Sequence, residues 1–227
     1  MTSQPYRMPL VLANFVLSQA GWLACVLTAA AGKPLWGCAF AALVVLWHLF
    51  FSPHRAGELR LLVLVVLVGG LWDSLLVQAG LLRYPSGIWL AHAAPYWILA
   101  LWALFATTLN VSLRWLHGRP ALAAACGAIA GPLSFTAGAR LGGVVFDDAV
   151  FTPLVLAFGW AVLMPAMAWL AVRCEPRAQL PAVPRDLAPG SEAAGNTGAD
   201  TGANPNQPVF LASTQVAVTS AKVFPNA

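Results

Sequence analysis

The sequence predicts an all-α polytopic membrane protein, a six-transmembrane-helix bundle with a disordered C-terminal tail, and three observations carry that prediction. The chain is 59% hydrophobic and 9% charged, against about 25% charged in an ordinary soluble domain. The charged residues are also unevenly placed: 8 of the 20 lie from Arg173 onward, leaving 12 for the first 172 residues, too few to coat a water-facing surface of that size. Finally, at about 20 apolar residues per crossing, residues 1–172 hold about six spans with short connections and no folded extramembrane domain. Residues 173–227 contain none of the ten tryptophans and are rich in Pro, Ala, Gly, Asn and Thr, a composition that favours a disordered cytoplasmic tail.

The first span runs from about Met8 to Ala31. It ends in three alanines that imitate a signal-peptidase site, but a secretory apolar region has about 7 to 15 residues, so retention as a first helix is expected. The second span follows Lys33, from about Pro34 to Phe51, and the third runs from about Leu59 to Ala79. The fourth extends from about Pro95 to Trp115, the fifth from Pro120 to about Leu141, and the sixth from about Pro153 to Val172. Pro34, Pro95, Pro120 and Pro153 suit first helical turns, where no N–H partner is lost; Thr152 is an N-cap candidate and Gly118 suits a helix end.

In this layout Arg7, Arg55, Arg60, Arg114, Arg119, Arg173 and Arg177 fall on the N-terminal side, against Lys33, Arg83 and Arg140 opposite. The excess places both termini in the cytoplasm. Tyr84, Trp89, Tyr96 and Trp97 are expected at the outer interface, and residues 80–94, broken by Pro85 and Gly87, at or in the outer membrane surface. The net charge of +4 does not point to nucleic acid, because the arginines are scattered singly between apolar stretches.

Small and polar residues mark packing seams. Asn14, Ser18, Gly21, Cys25, Thr28 and Gly32 share one face of the first span. Ala123, Gly127, Ala130, Gly131, Ser134, Gly138 and Gly142 do so in the fifth, suggesting that the fifth helix is central; Pro132 should bend it. Asn14 and Asn110 lie at similar inner depth, so an amide hydrogen bond between the first and fourth helices is expected. His48 is expected to be interfacial or hydrogen-bonded rather than a haem ligand.

Asp73, within GGLWDSLLVQAG, is the acid that no interface or loop accounts for. Its insertion costs about 2.5–3.5 kcal/mol, while each neighbouring Leu or Val returns about 0.3–0.6. The helix therefore inserts, with the carboxyl turned from lipid, and Gly69, Gly70, Ser74, Gln78 and Gly80 around it invite a close partner helix. Arg140, Arg83, Gln19 and Asn110 are the candidate partners of the acid, and Asp147 and Asp148 are expected to solvate the last outer loop or pair with Arg140.

No GxxxxGK, GxSxG or HExxH motif occurs, no span carries two histidines four apart or two acids set for acid/base work, and the cysteines form no CxxC pair. No metal or cofactor is implied. Cys25, Cys38 and Cys126 are expected to act as small buried hydrophobes, although a disulfide between Cys25 and Cys38, both in the outer half, is conceivable.

The runs NFVLSQAGWLACVL, LWDSLLVQAGLLRYPSG, PYWILALWALFATTLNVSLRWL and GPLSFTAGARLG resemble a small bacterial membrane family catalogued as domain of unknown function 2878, over about residues 10–172. The resemblance implies a helical inner-membrane protein with a lipid-related setting and carries over no catalytic residue. The residues themselves divide into two runs of three spans, the parity of inverted-repeat carriers. The reading that follows is a non-catalytic protein that binds or moves a small or lipidic molecule in a polar intramembrane pocket around Asp73, with Gln78, Gln19, Asn110 and Arg140 as candidate contacts. A membrane-embedded enzyme acting on lipid and a scaffold for lipid-modifying enzymes are the alternatives.

Overall fold

The computed structural model describes residues 8–175. Six helices follow in chain order: α1 (Met8–Ala30), α2 (Pro34–Phe51), α3 (Arg55–Gln78), α4 (Tyr96–Leu109), α5 (Pro120–Arg140) and α6 (Phe151–Cys174). All but α4 are long and apolar enough to cross a membrane, so the chain is an all-α, multi-pass membrane protein. The expected disorder of residues 173–227 concerns a segment that, beyond Glu175, lies outside the described residues.

Helix boundaries follow local chemistry. Pro34 and Pro120 occupy the first turns of α2 and α5, where a missing N–H costs nothing. At the other ends of α1, α3 and α5 the chain reverses through Gly32, Gly80 and Gly142, all with positive φ. In each case the next N–H reaches the carbonyl five residues back: Lys33 to Thr28, Leu81 to Leu76, Gly143 to Gly138. This closure satisfies carbonyls that a helix end would leave bare in lipid.

Helix α6 begins differently from the expectation. Thr152 is not its N-cap; it lies inside the helix, fully buried, with its hydroxyl directed at the Leu81 carbonyl. Asp148 takes the capping role, its Oδ1 accepting the N–H groups of Val150, at 2.8 Å, and of Phe151. Those two bonds hold the exposed Asp148 carboxyl below the usual carboxylate range. Asp147 pairs with Arg83, at 2.6 Å, and not with Arg140.

Consecutive helices pack as hairpins, α1 on α2, α3 on α4 and α5 on α6, and α4 also packs on α1, α2 and α6. The central helix is therefore α4. Helix α5, expected at the centre from its small residues, packs chiefly on α6, because a glycine groove sets how closely one neighbour approaches and not how many surround it. Helix α4 is short for a span. Its 14 residues rise about 21 Å, against a hydrocarbon core of about 30 Å. The expected helical course to Trp115 is cut at Asn110, followed by turns and a single 3-10 turn at Arg114–Leu116. Thr107 and Thr108 donate to the carbonyls of Leu104 and Phe105, three residues back, which competes with the helical ladder. Irregular backbone at this depth is tolerated because protein surrounds it: Asn110, Val111 and Leu116 are all buried.

Glycine notches that receive indoles run through the packing. A Cβ on Gly69 of α3 would lie 1.9 Å from the Trp102 ring of α4, one on Gly131 of α5 2.2 Å from the Trp160 ring of α6, and one on Gly159 of α6 2.1 Å from the Trp72 ring of α3. Trp102 and Trp160 stack on each other, centroids 5.2 Å apart and planes within 7°. Gly69, two indoles and Gly131 thus form one continuous stack that joins α3, α4, α6 and α5.

At the end of the helices beside the α1–α2 turn, Leu82–Arg83 pairs antiparallel with Val145–Phe146, a two-strand clasp the sequence did not reveal. Tyr84 and Trp97, expected at the outer interface, are both buried between elements of the protein and meet edge to face, centroids 5.6 Å apart. Ser86 and Trp97 tie the segment down: Ser86 Oγ donates to the Ala29 carbonyl and Trp97 Nε1 to the Ser86 carbonyl. Trp89 is exposed. All four cysteines are free.

Candidate functional site

A cavity of about 400 Å³ lies in the middle of the helices, between α1 and α5 and against α4 and α6. Phe15, Ser18, Gln19 and Trp22 of α1 form one wall, and Ala130, Gly131, Ser134 and Phe135 of α5 the other. Trp102, Phe105 and Trp160 form much of the rest, Phe105 meeting both indoles edge to face. Helix α1 packs on α2 and α4, and α5 on α6, which leaves the space between α1 and α5 to the cavity. Its rim residues Phe15, Gln19 and Ala130 are exposed and fall near the middle of their helices. At that depth the surroundings of a spanning helix are acyl chains.

Asp73 reaches this cavity from α3. It is 1% exposed, so the carboxyl is turned from lipid. Gly69 and Gly70, on the turn before it, admit the ring of Trp102 and the side chain of Leu99 from α4, and this close approach sets up the polar contact. Trp102 Nε1 donates to Asp73 Oδ2 at 2.6 Å. The other oxygen, Oδ1, is buried without a partner, and so is the indole N–H of Trp160, which lines the same cavity. The pocket thus has aromatic and aliphatic walls, and beside it one carboxyl oxygen and one indole N–H have no hydrogen-bond partner among the described residues.

The residues singled out from sequence separate into three places. Asp73 and Gln19 line the cavity. Gln78 and Arg140 are exposed at the C-terminal ends of α3 and α5, away from it. Asn110 belongs to a second polar cluster, beside the α2–α3 turn. There Glu58 Oε2 lies 3.2 Å from His48 Nε2, and Glu58 Oε1 accepts from Asn110 Nδ2 at 3.0 Å. All three side chains are buried, so Glu58 ties α2, α3 and α4 together. The expected bond between Asn14 and Asn110 is not made: Asn14 Nδ2 donates to the Thr107 carbonyl, and Asn14 Oδ1 accepts from Ser112. Helices α1 and α4 are still linked, through the backbone exposed where α4 ends. Beyond this cluster Arg114 pairs with Glu175, and burial lowers the His117 pKa, against smaller opposing effects of the Leu109 carbonyl and Glu175.

Two features escaped the sequence reading, Trp102 as the partner of Asp73 and Glu58 as a second buried acid. Glu58 had a signal: His48 and Glu58 stand equally far from Pro53 in the short α2–α3 turn, and residues equidistant from a helical hairpin's turn sit at one depth. Trp102 had none beyond the glycines facing it. Among the described residues no three His, Cys, Asp or Glu side chains gather as a metal site.

Residues 11–166 match the family model described as "Protein of unknown function (DUF2878)", and that stretch contains every residue of the cavity wall as well as His48, Glu58 and Asn110. The chain belongs to the DUF2878 family. The match covers more than half of this DUF2878 protein, from α1 into α6. No curated protein and no solved structure matches it.

Proposed function

We propose that this DUF2878 protein is a non-catalytic protein of a bacterial inner membrane that binds or moves a small or lipidic molecule, taken from the bilayer through the gap between α1 and α5. The observation that carries this reading is the half-paired Asp73 carboxyl at a cavity whose rim residues, Phe15, Gln19 and Ala130, are exposed at mid-helix depth. A cavity of about 400 Å³ falls within the range of small-molecule sites, about 300–1,000 Å³. Placement of both termini in the cytoplasm is supported by Arg55, Arg60, Arg114, Arg119 and Arg173 at one end of the helices against Lys33, Arg83 and Arg140 at the other. At the first end Arg55 and Arg173 lie over the rings of Phe50 and Trp169, as at a membrane interface.

Native mass spectrometry of the full chain released from its own membranes tests the reading. Wild type should carry a bound small molecule or lipid that Ala130→Trp, which fills the mouth, loses while its melting temperature stays close to wild type. Identical adducts in both proteins would refute the site.

A further inference from the structure

Resting on that reading of the cavity, we infer that its ligand is a lipid-soluble quinone, a flat neutral ring with carbonyl oxygens on opposite edges and an apolar tail. Six side chains of the wall are aromatic: Phe15 and Trp22 of α1, Trp102 and Phe105 of α4, Phe135 of α5 and Trp160 of α6. In contact with water such a wall would draw in any apolar molecule. Inside a bilayer it does not, because an alkyl chain leaving the lipid only exchanges one hydrocarbon surrounding for another. What aromatic walls add there is selective for rings, which gain from edge-to-face and offset contacts beyond the area they bury.

The polar groups of the wall select what the ring carries. Most are taken: Ser18 donates to the Asn14 carbonyl, Thr108 to the Phe105 carbonyl, Ser112 to the Asn14 side chain and Trp102 to Asp73. The unpaired atoms of Asp73 and Trp160 are buried, and Gln19 lies at the exposed rim. That leaves the indole N–H of Trp22 and the hydroxyl of Ser134, on half-buried residues that make no hydrogen bond among the described ones. They come from opposite walls at similar depth. Helices α1 and α5 meet at their C-terminal ends, where a Cβ on Gly142, just past α5, would lie 3.5 Å from Ala30, and Trp22 and Ser134 each stand eight residues before that contact. Both groups donate, so together they suit two acceptor oxygens on one rigid ring. A hydrocarbon leaves both donors unpaired, and a fatty ester pairs one without using the aromatic walls. A charged head is disfavoured by position: the wall has no Lys, Arg or His to meet an anion, and a charge of either sign reaches the mid-helix mouth only through hydrocarbon. The tail stays in the bilayer, leaving between Phe15, Gln19 and Ala130.

The test uses the full chain in lipid nanodiscs and a decyl benzoquinone with a photoactivatable diazirine beside its ring, the ring fully substituted so that it cannot add to thiols. Labelled peptides are mapped by mass spectrometry. In wild type the segments around Phe15–Trp22 and Ala130–Phe135 should be labelled. Unlabelled decyl benzoquinone should suppress that labelling at about a tenth of the concentration needed by decylbenzene, which has the ring without the acceptors, or by methyl dodecanoate, which has an acceptor without the ring. Trp22→Phe and Ser134→Ala each remove one donor and should weaken suppression by the quinone about fivefold, the worth of one neutral hydrogen bond, while leaving suppression by decylbenzene within about twofold. The two substitutions lie on different helices, so either decides the matter if the other variant does not fold. Equal suppression in wild type by decylbenzene, methyl dodecanoate or dodecyltrimethylammonium, or unchanged suppression by the quinone in the folded variants, overturns the quinone assignment and leaves the cavity as a binding site. Labelling of the two segments by a diazirine-bearing fatty acid methyl ester but not by the quinone has the same meaning. If neither probe labels them above the exposed face of α2, both the assignment and the site fall.

Discussion

Gly69→Ala is the substitution that most sharply separates a built site from an accidental gap. The new methyl carbon would lie 1.9 Å from the ring of Trp102. Retreat along the stack is blocked, since that indole lies on Trp160, whose own ring is set against Gly131. Overpacking of this kind costs about 1–3 kcal/mol. Displacing Trp102 also strips the Asp73 carboxyl of the one hydrogen bond it makes among the described residues, in a site where that residue is 1% exposed, a further loss of about 1–3 kcal/mol. Alanine's better helix propensity returns about 1 kcal/mol, so the net loss is about 1–5 kcal/mol. Gly138→Ala, also inside a helix, supplies the control: its Cβ would meet Val144 at an ordinary 3.7 Å, and it should be neutral or stabilising by up to about 1 kcal/mol. Both variants are to be compared with wild type by steric-trapping unfolding in bicelles, with near-ultraviolet circular dichroism reporting the stacked indoles. Equal stabilities, or an unchanged indole signal in Gly69→Ala, would refute the stack as the element that positions Asp73.

Other substitutions probe the rest of the account. Glu58→Leu leaves Asn110 and His48 without their shared acceptor and should lower stability by about 2–4 kcal/mol, whereas Glu58→Gln, which keeps one acceptor oxygen, should cost clearly less; unfolding in bicelles measures both. Arg83→Ala removes an ion pair whose partners are 68% and 57% exposed, so the same measurement should show a change below about 1 kcal/mol. The Asp148 cap depends on pH. Its carboxyl pKa is lowered in the fold, so its contribution is present above the ordinary value of about 3.9 and lost as pH falls through the folded value. Hydrogen exchange at the first turn of α6 should therefore quicken on acidification below that range, and in Asp148→Ala it should already be fast at neutral pH.

The sequence announced the helices because lipid leaves a span few options: apolar length, with a proline at the start of α2 and α5 and a glycine reversal after α1, α3 and α5, marks α1, α2 and α5 almost to the residue, while α3 begins at Arg55 instead of Leu59 and α6 runs from Phe151 to Cys174 instead of from Pro153 to Val172. It misjudged α4. A run apolar from Pro95 to Trp115 reads as one span, yet Thr107, Thr108 and Asn110 divert the backbone once surrounding helices replace lipid. The burial of Asp73 was legible from the cost of an acid among leucines, together with the glycines a turn before it. Its partner was not, because an indole that fits a notch on another helix has no periodicity of its own. Gln78 and Arg140 illustrate the opposite error: they share the polarity of the site and not its depth, since they are the last residues of α3 and α5.

The central claim is that a molecule from the bilayer occupies the space between α1 and α5 and touches Asp73. An experimental density map of the full chain in native-lipid nanodiscs, obtained with a bound antibody fragment, tests it directly. The account predicts elongated non-protein density that enters beside Phe15, Gln19 and Ala130 and ends within hydrogen-bond reach of Asp73 Oδ1. Helices α1 and α5 packed against each other, with Asp73 sealed behind them, would contradict it.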